Sequence, residues 1–429
     1  MEVKIRTPVW TGDIDQKSLF LRPMGIMGSL RWWTELVLRS LDKFACDPTS
    51  NRRCPDNIKR YCFACLVFGA TGARRTFKLS MSGGERTFTG HAVNIKPSGR
   101  SRGWYLGSGI VGKINLNIIP LDRDFDESLI FVPLILASRW GGMGAKTQNG
   151  YGVVEIEDYS EIDLNRFEEA IKNITSQERL SRLRINLRHE SNDGFPNLKE
   201  MFFTKVQFEF TDTEWWKRVD GIAPRSHSNY RGYVNDQRII NWIKSGSVPI
   251  VPAIKNWLRY GRGTRLWKTN NRVQDRRTES WLFGTTERIC AFCYGKVKKD
   301  RNNPQNFWCP NCNRSLSKEE TFERIASKIN ISCAYMIDDD LWEFRIWGWI
   351  PKEEMPIGFD RDSFLDNLKQ ALDGGESVTV PWNDLLGDQT KNHKLKVWRE
   401  FDSSRDTVKP NESDIGNYLQ SLLSGEDIR

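Results

Sequence analysis

Four cysteines in the second half of the chain have a spacing suited to holding a metal ion. Cys290-Ala-Phe-Cys293 and Cys309-Pro-Asn-Cys312 together read C-x2-C-x15-C-x2-C. Each C-x2-C folds into a tight knuckle that turns two thiolates toward one ion. Four thiolates complete a tetrahedron and leave no open position, so a zinc ion here is expected to be structural rather than catalytic. The spacer, residues 294–308, is polar and basic, with Lys296, Lys298, Lys299 and Arg301. Such a segment cannot build its own core, so the ion would supply its folding energy. A second group, Cys46, Cys54, Cys62 and Cys65, has one knuckle, Cys62-Phe-Ala-Cys65. It spans a polar loop, residues 42–60, with Pro48 and Pro55, which needs a tie. A second zinc ion is expected there, with His91 as the alternative to Cys46. Cys333, inside an apolar run, reads as a buried core thiol.

Other chemistry is thinner. Cleavage of RNA without metal needs an acid and a base about the 2′-hydroxyl. His227, in Pro224-Arg-Ser-His-Ser-Asn-Tyr-Arg231, is the histidine in a basic, polar loop, and a surface histidine is the simpler reading. Asp13 and Asp15 could take a divalent ion, but they read as turn residues. No Walker A loop, nucleophile elbow or HExxH is present. No catalytic residue is assigned.

The elements that must position these groups follow from pattern. With 429 residues, 38% hydrophobic and 28% charged, the chain reads as globular, with two domains and an extension. No apolar run approaches the roughly 18 residues that span a bilayer. The N-terminus has no apolar signal-peptide core, so cytoplasmic residence is expected and nine cysteines do not read as a disulfide framework. The net charge of +9 divides unevenly: residues 353–429 carry 16 acidic and 9 basic side chains, a net of −7 against +16 for residues 1–352. A basic body favours a polyanionic partner, because phosphate binding releases counterions. Seventeen tryptophans, most of them expected in the core, add possible stacking platforms for bases.

An order of elements appears twice. Residues 3–10 alternate as a strand, and Ile26, Leu30, Trp33, Val37 and Leu41 then fall near a 3.6-residue period, a helix entered through a glycine turn. After the cysteine loop, Leu66-Val-Phe-Gly69 leads into a basic strand on which alternation would put Arg74, Thr76 and Lys78 on one face. In the second half, residues 201–210 alternate, residues 248–259 form a turn and a helix, and Trp281-Leu-Phe-Gly284 mirrors the Phe-Gly step. The cysteine insertion follows, and residues 324–332 resume the strand. Residues 163–181 read as a helix, 190–196 as a linker, and 362–372 and 414–423 as helices of the tail.

Thr7-Pro-Val-Trp-Thr-Gly12, then Leu21-Arg-Pro-Met-Gly-Ile-Met-Gly-Ser-Leu-Arg-Trp-Trp33, and the late glycine loop Trp140-Gly-Gly-Met-Gly-Ala-Lys-Thr-Gln-Asn-Gly-Tyr-Gly152 resemble the RAMP superfamily. The resemblance is to the family of the first subunit of the Cmr complex, the type III-B CRISPR effector. It is specific over residues 1–155, weaker but order-preserving over 200–350, and absent from the tail. It implies an α+β fold of two tandem ferredoxin-like (RRM-like) domains, here with an inserted zinc ribbon. The expected division is 1–195, then 196–352 with the ribbon at about 285–318, then an acidic extension, 353–429. The resemblance further implies a prokaryotic, non-catalytic subunit that holds the 3′ part of a guide RNA, or the target paired to it, among other effector subunits and without a membrane. The two cysteine clusters are not features of every member. A RAMP-type endoribonuclease is the alternative, and a zinc-dependent DNA-binding protein a weaker third.

Physical reading of the same motifs supplies candidate RNA contacts. Gly141, Gly142 and Gly144 remove side chains, so backbone amides could approach a phosphate, with Lys146 adding charge. Gly25 and Gly28, flanked by Arg22 and Arg31, could do so at a helix N-terminus. Arg74, Arg75 and Lys78 follow the first Phe-Gly, and Lys255, Arg259 and Arg262 are the second half's counterparts. The tail, with Trp382, Leu385, Leu386 and the 419–423 helix as anchors, is expected to pack on a neighbouring subunit. The aromatic RRM consensus is not evident, so base stacking on a sheet face is not expected.

Overall fold

Val3 and Ile5 alternate with half-buried Lys4 and Arg6, which makes Glu2–Val9 (β1) a strand with one apolar face. Our computed structural model describes residues 1–429 apart from 14, 16, 157–162, 226–229, 262–265, 270, 302, 354, 376–377 and 426–429. Pro23 opens the helix Pro23–Ser40 (α1), whose residues Ile26, Leu30, Trp33 and Val37 are all buried. The chain continues through Phe63–Phe68 (α2), Phe77–Arg86 (β2), Ile110–Pro120 (β3), Ser128–Trp140 (α3) and Val154–Ile156 (β4). The strands form an antiparallel sheet in the order β2-β3-β1-β4.

The second half repeats this order. Met201–Phe210 (β5) leads to Val251–Tyr260 (α4), Arg272–Phe283 (α5), Ile329–Ile331 (β6), Ala334–Met336 (β7), Leu341–Trp349 (β8), Arg361–Leu372 (α6) and Thr390–Glu400 (β9). The sheet runs β7-β8-β5-β9, with β6 also pairing β8 and Ser247–Val248 beyond β7. The Phe-Gly steps occupy equivalent places. Gly69 (φ 87°) and Gly284 (φ 72°) end α2 and α5. The Thr76 amide then bonds Val67 O at 3.0 Å, and the Lys328 amide bonds Leu282 O at 2.9 Å. Between those points the first half has a tight turn closed by Ala70 and Ala73, and the second has the cysteine insertion closed by Thr285 and Ile325.

The two halves stack in layers. On β5, Phe202, Val206 and Phe208 enter the second core, while Met201 and Phe203 enter the first, packing with α1 and α3. Phe203 stacks on Trp33 with centroids 6.2 Å apart. The Arg345 guanidinium donates to Ser138 O at 2.6 Å and Gly141 O at 3.2 Å. This sandwiching explains why α3 is apolar nearly all round: a helix between two sheets has no solvent face. It also closes the inner face of the second sheet to any ligand.

Residues 353–429 are not an acidic extension, and their anchors do not await a neighbour. β9 completes the second sheet by pairing along β5, and α6 packs in the second core. Leu385 and Leu386 lie in the second core, with Trp382 packed against it. The final helix, Ile415–Ser424 (α7), packs on the first half, where Trp140 Nε1 donates to Leu422 O at 2.9 Å. The acidic surplus is partly internal: the buried Arg399–Asp406 pair, at 2.9 Å, is fully shielded. The helix expected over 163–181 is two, Leu164–Ile174 and Gln177–Leu183, divided at Ser176, which caps the second.

Candidate metal centres and nucleic-acid interface

Each group of four cysteines converges. Within Cys46, Cys54, Cys62 and Cys65, and within Cys290, Cys293, Cys309 and Cys312, the sulfurs all lie within 4.8 Å of one another. Cys46 and Cys65 sulfurs are 3.6 Å apart, Cys290 and Cys312 3.7 Å, and Cys293 and Cys309 3.4 Å. Tetrahedral bonds of about 2.3 Å to one ion require sulfur separations of about 3.8 Å, so both sets fit such an ion. The fourth member of the first set is Cys46; His91 is exposed and outside it. Cys333 is a fully buried thiol, its pKa raised by burial.

The settings differ. The first cluster sits in the main core beside α1 and α2. The second has a small core of its own, with Cys290, Cys309 and Leu316 buried. Short strands, Lys298–Lys299, Phe307–Cys309 and Arg314–Leu316, form the insertion's sheet around it.

Several expected RNA contacts are engaged inside the fold. Arg31 donates to Cys65 Sγ at 3.1 Å, Cys46 Sγ at 3.6 Å and Gly69 O at 3.3 Å, and pairs with Glu35 at 2.8 Å. It is therefore a cation facing the thiolates, not a phosphate ligand. Burial, opposed by Arg39 and Arg31, pushes the Glu35 carboxyl up to about 7. The glycine loop is a packing device: the Gly141 amide bonds Ala137 O, and the Gly144 amide bonds Ser29 Oγ at 2.8 Å. A Cβ on Gly141 would meet Trp33 at 2.2 Å, and one on Gly144 would meet Trp10 O at 2.7 Å. Gly142 is buried against Gly152, and the loop's far end bonds the second half through Gly150 O and the Cys333 amide, at 3.1 Å. Gly25 likewise packs on Thr11, while Gly28 faces open space.

What stays accessible is a cluster at the start of α1. Arg22 is exposed there, and the Arg75 guanidinium lies 3.9 Å from Met24 Sδ and 3.8 Å from Met27 Sδ. Arg74 is exposed nearby. Lys146 caps the Trp10 ring at 3.8 Å, and burial lowers its pKa. Arg74, Thr76 and Lys78 do not share a strand face. The strand begins only at Phe77, and Thr76 is buried with its hydroxyl on Val67 O. Lys78 is exposed on the side away from α1, opposite the buried Phe77 and Leu79. Asp13 Oδ1 accepts from the Asp15 and Lys17 amides, the turn role expected of it. His227 and Arg262 lie outside the described residues.

Lys255 and Arg259 line a cleft of about 1050 Å³ between the first half, α4, α5 and the cysteine insertion. Burial, and then the Arg259 charge, holds the Lys255 ammonium down to about 7, and it donates to Gln148 O at 3.2 Å. Arg259 pairs with Glu279 at 3.0 Å. Arg100, Arg102, Arg276, Lys296, Lys298 and Arg324 also line this cleft. Sequence reading passed over them as binding residues, because each sits in an unremarkable polar stretch far from the others.

Residues 2–155 match the model of the RAMP superfamily. The chain is similar to Cmr1 from Pyrococcus furiosus in its apo form, at 13% identity over 82% of this chain and 87% of that one, with a TM-score of 0.32. It is also similar to a chain of the type III-B Cmr-beta complex bound to cognate target RNA, at 12% identity over 82% and 93%, with a TM-score of 0.34. No curated protein matches the chain. Among the described residues, no helix is long and apolar enough to cross a membrane.

Proposed function

We propose that the chain is a non-catalytic RNA-holding subunit of a type III CRISPR effector, placed on the 3′ part of the guide RNA or on the target paired to it. One observation carries this reading: the strand and helix order of the RAMP-matching segment, residues 2–155, recurs over residues 201–400. Each unit runs β-α-β-β-α-β with its first strand central, which we read as two tandem ferredoxin-like domains. The first spans about residues 1–195. The second runs from about 196 to the C-terminus, with residues 285–325 as its insertion. Both cysteine clusters are taken to hold structural zinc, which makes the insertion a zinc ribbon. The type III-B Cmr-beta complex has been solved bound to cognate target RNA, and by analogy this chain's partners are RNA and further effector subunits.

RNA would be held through its phosphates by Arg22, Arg74, Arg75 and Lys146, contacts that position a strand without reading its sequence. Binding of labelled guide-repeat RNA, measured by filter retention across a salt series, should weaken steeply with salt. Each phosphate contact removed shallows the slope by about 0.7 for a single strand, so Arg22→Ala with Arg75→Ala should shallow it by about 1.4. The loss should be alike for unrelated RNA sequences, and the RNA should be recovered uncut. Cleavage products would favour the endoribonuclease instead, and a loss confined to one sequence would contradict phosphate-based holding.

A further inference from the structure

The cleft at the junction of the two halves is strongly cationic, with most of its charge from the second half and Arg100 and Arg102 from the first. Eight Lys or Arg side chains and two Glu line it. Both carboxylates already have partners: Glu279 pairs with Arg259, and Glu287 with Arg102 and Lys296. Arg100, Arg276 and Arg324 have no ion pair among the described residues. The Arg100 guanidinium carbon lies over the Tyr260 ring, 3.6 Å from its centroid, and its Nε is buried with no hydrogen-bond acceptor. A buried cationic donor without an acceptor calls for an anion. Lys255, 5% exposed, sits at the same wall with a backbone carbonyl as its partner. At the rim, Tyr105 is 66% exposed on the hairpin strand Trp104–Leu106. The opposite rim comes from the cysteine insertion, through Tyr294, Lys296 and Lys298.

We propose that this cleft is a site for a short single-stranded polynucleotide segment, its phosphates held by Arg100, Lys255, Arg276 and Arg324 and one base stacked on Tyr105. The inference rests on the reading that the chain holds RNA, and adds where a strand end enters and which side chains receive it. A cavity of this volume admits a few nucleotides but not a duplex. A flat exposed tyrosine beside unpaired arginines is the combination that binds single strands with little sequence preference. An acidic peptide would meet the charges but leave the stacking surface unused.

The test is fluorescence anisotropy of the full-length protein with a labelled tetrauridylate, run beside a labelled single-stranded RNA of about 30 nucleotides. Arg276→Ala with Arg324→Ala should weaken the tetranucleotide by about tenfold or more. Tyr105→Ala, at an exposed position that leaves the fold undisturbed, should weaken it by about fivefold or more, the scale of one lost stacking contact. If the long RNA binds but neither cleft variant alters tetranucleotide affinity, the cleft proposal is overturned while the RNA reading stands. If the wild-type protein binds neither RNA, the RNA reading falls first. Tetraglutamate binding as tightly as the tetranucleotide would reduce the cleft to a charge trap and overturn the proposal too.

Discussion

Truncation at residue 352 is expected to leave no folded second half. The strand β9 pairs with β5 from Phe202 to Phe210, and β5 has buried residues on both faces. Its removal would turn a central strand into an exposed apolar edge, a template for aggregation. The same cut takes away α6, whose Phe364, Leu365 and Leu368 are fully buried, and α7, whose Tyr418, Leu419 and Leu422 fill the first core. A single substitution reaches the same region. Asp406 accepts from Arg399 Nε and from the Glu400 amide, both at 2.9 Å, where neither charged side chain meets solvent. Asp406→Ala leaves the Arg399 charge buried without its counterion and should cost about 3–5 kcal/mol, read as a lowered thermal midpoint. A soluble, cooperatively melting 1–352 protein would contradict the assignment of these residues to the second half.

The second large effect separates the two cysteine clusters. Cys62→Ser and Cys309→Ser should each remove one ion from freshly purified protein, measured as zinc per chain by mass spectrometry. Their structural costs should differ. Cys62 is fully buried in the main core, and its cluster faces Arg31, which Glu35 joins to Arg39. The ion would tie the polar loop 42–60 to this core, so its loss should destabilise the whole first half by about 3–5 kcal/mol. Cys309 belongs to the small separate core of the insertion. Its loss should unfold residues 285–325 locally, visible as fast amide exchange there, and spare the rest. No zinc in the wild-type protein would contradict both assignments.

How far these features were legible depended on how local their cause is. The strand β5 was readable at its full length because alternation needs no partner, and α1 because five apolar residues keep a 3.6 period. The knuckles were readable from spacing alone. Arg31 was misread because an arginine beside glycines at a helix start looks like an anion site. The signal against it was the i, i+4 series Arg31, Glu35, Arg39, which already offered an internal partner. The glycine loop was misread similarly: its glycines make room for Trp33 and Trp10, residues more than a hundred positions away. The tail was assigned by net charge, which cannot distinguish acids in solvent from acids buried on arginines such as Arg399 and Arg361. The cleft was invisible because Lys255, Arg276 and Arg324 are brought together only by the fold of the second half, and Arg100 joins them only when the two halves stack.

The central claim is that single-stranded RNA is held on the cationic surfaces of the two halves and in the cleft where they meet. Photochemical cross-linking of uridine-substituted RNA to the full-length protein, with the attached peptides mapped by mass spectrometry, tests this most directly. The account predicts adducts at Tyr105 and Tyr260 in the cleft and around Trp10 and Arg75 at the start of α1. Adducts confined to α6, β9 and α7, with none at those positions, would contradict it.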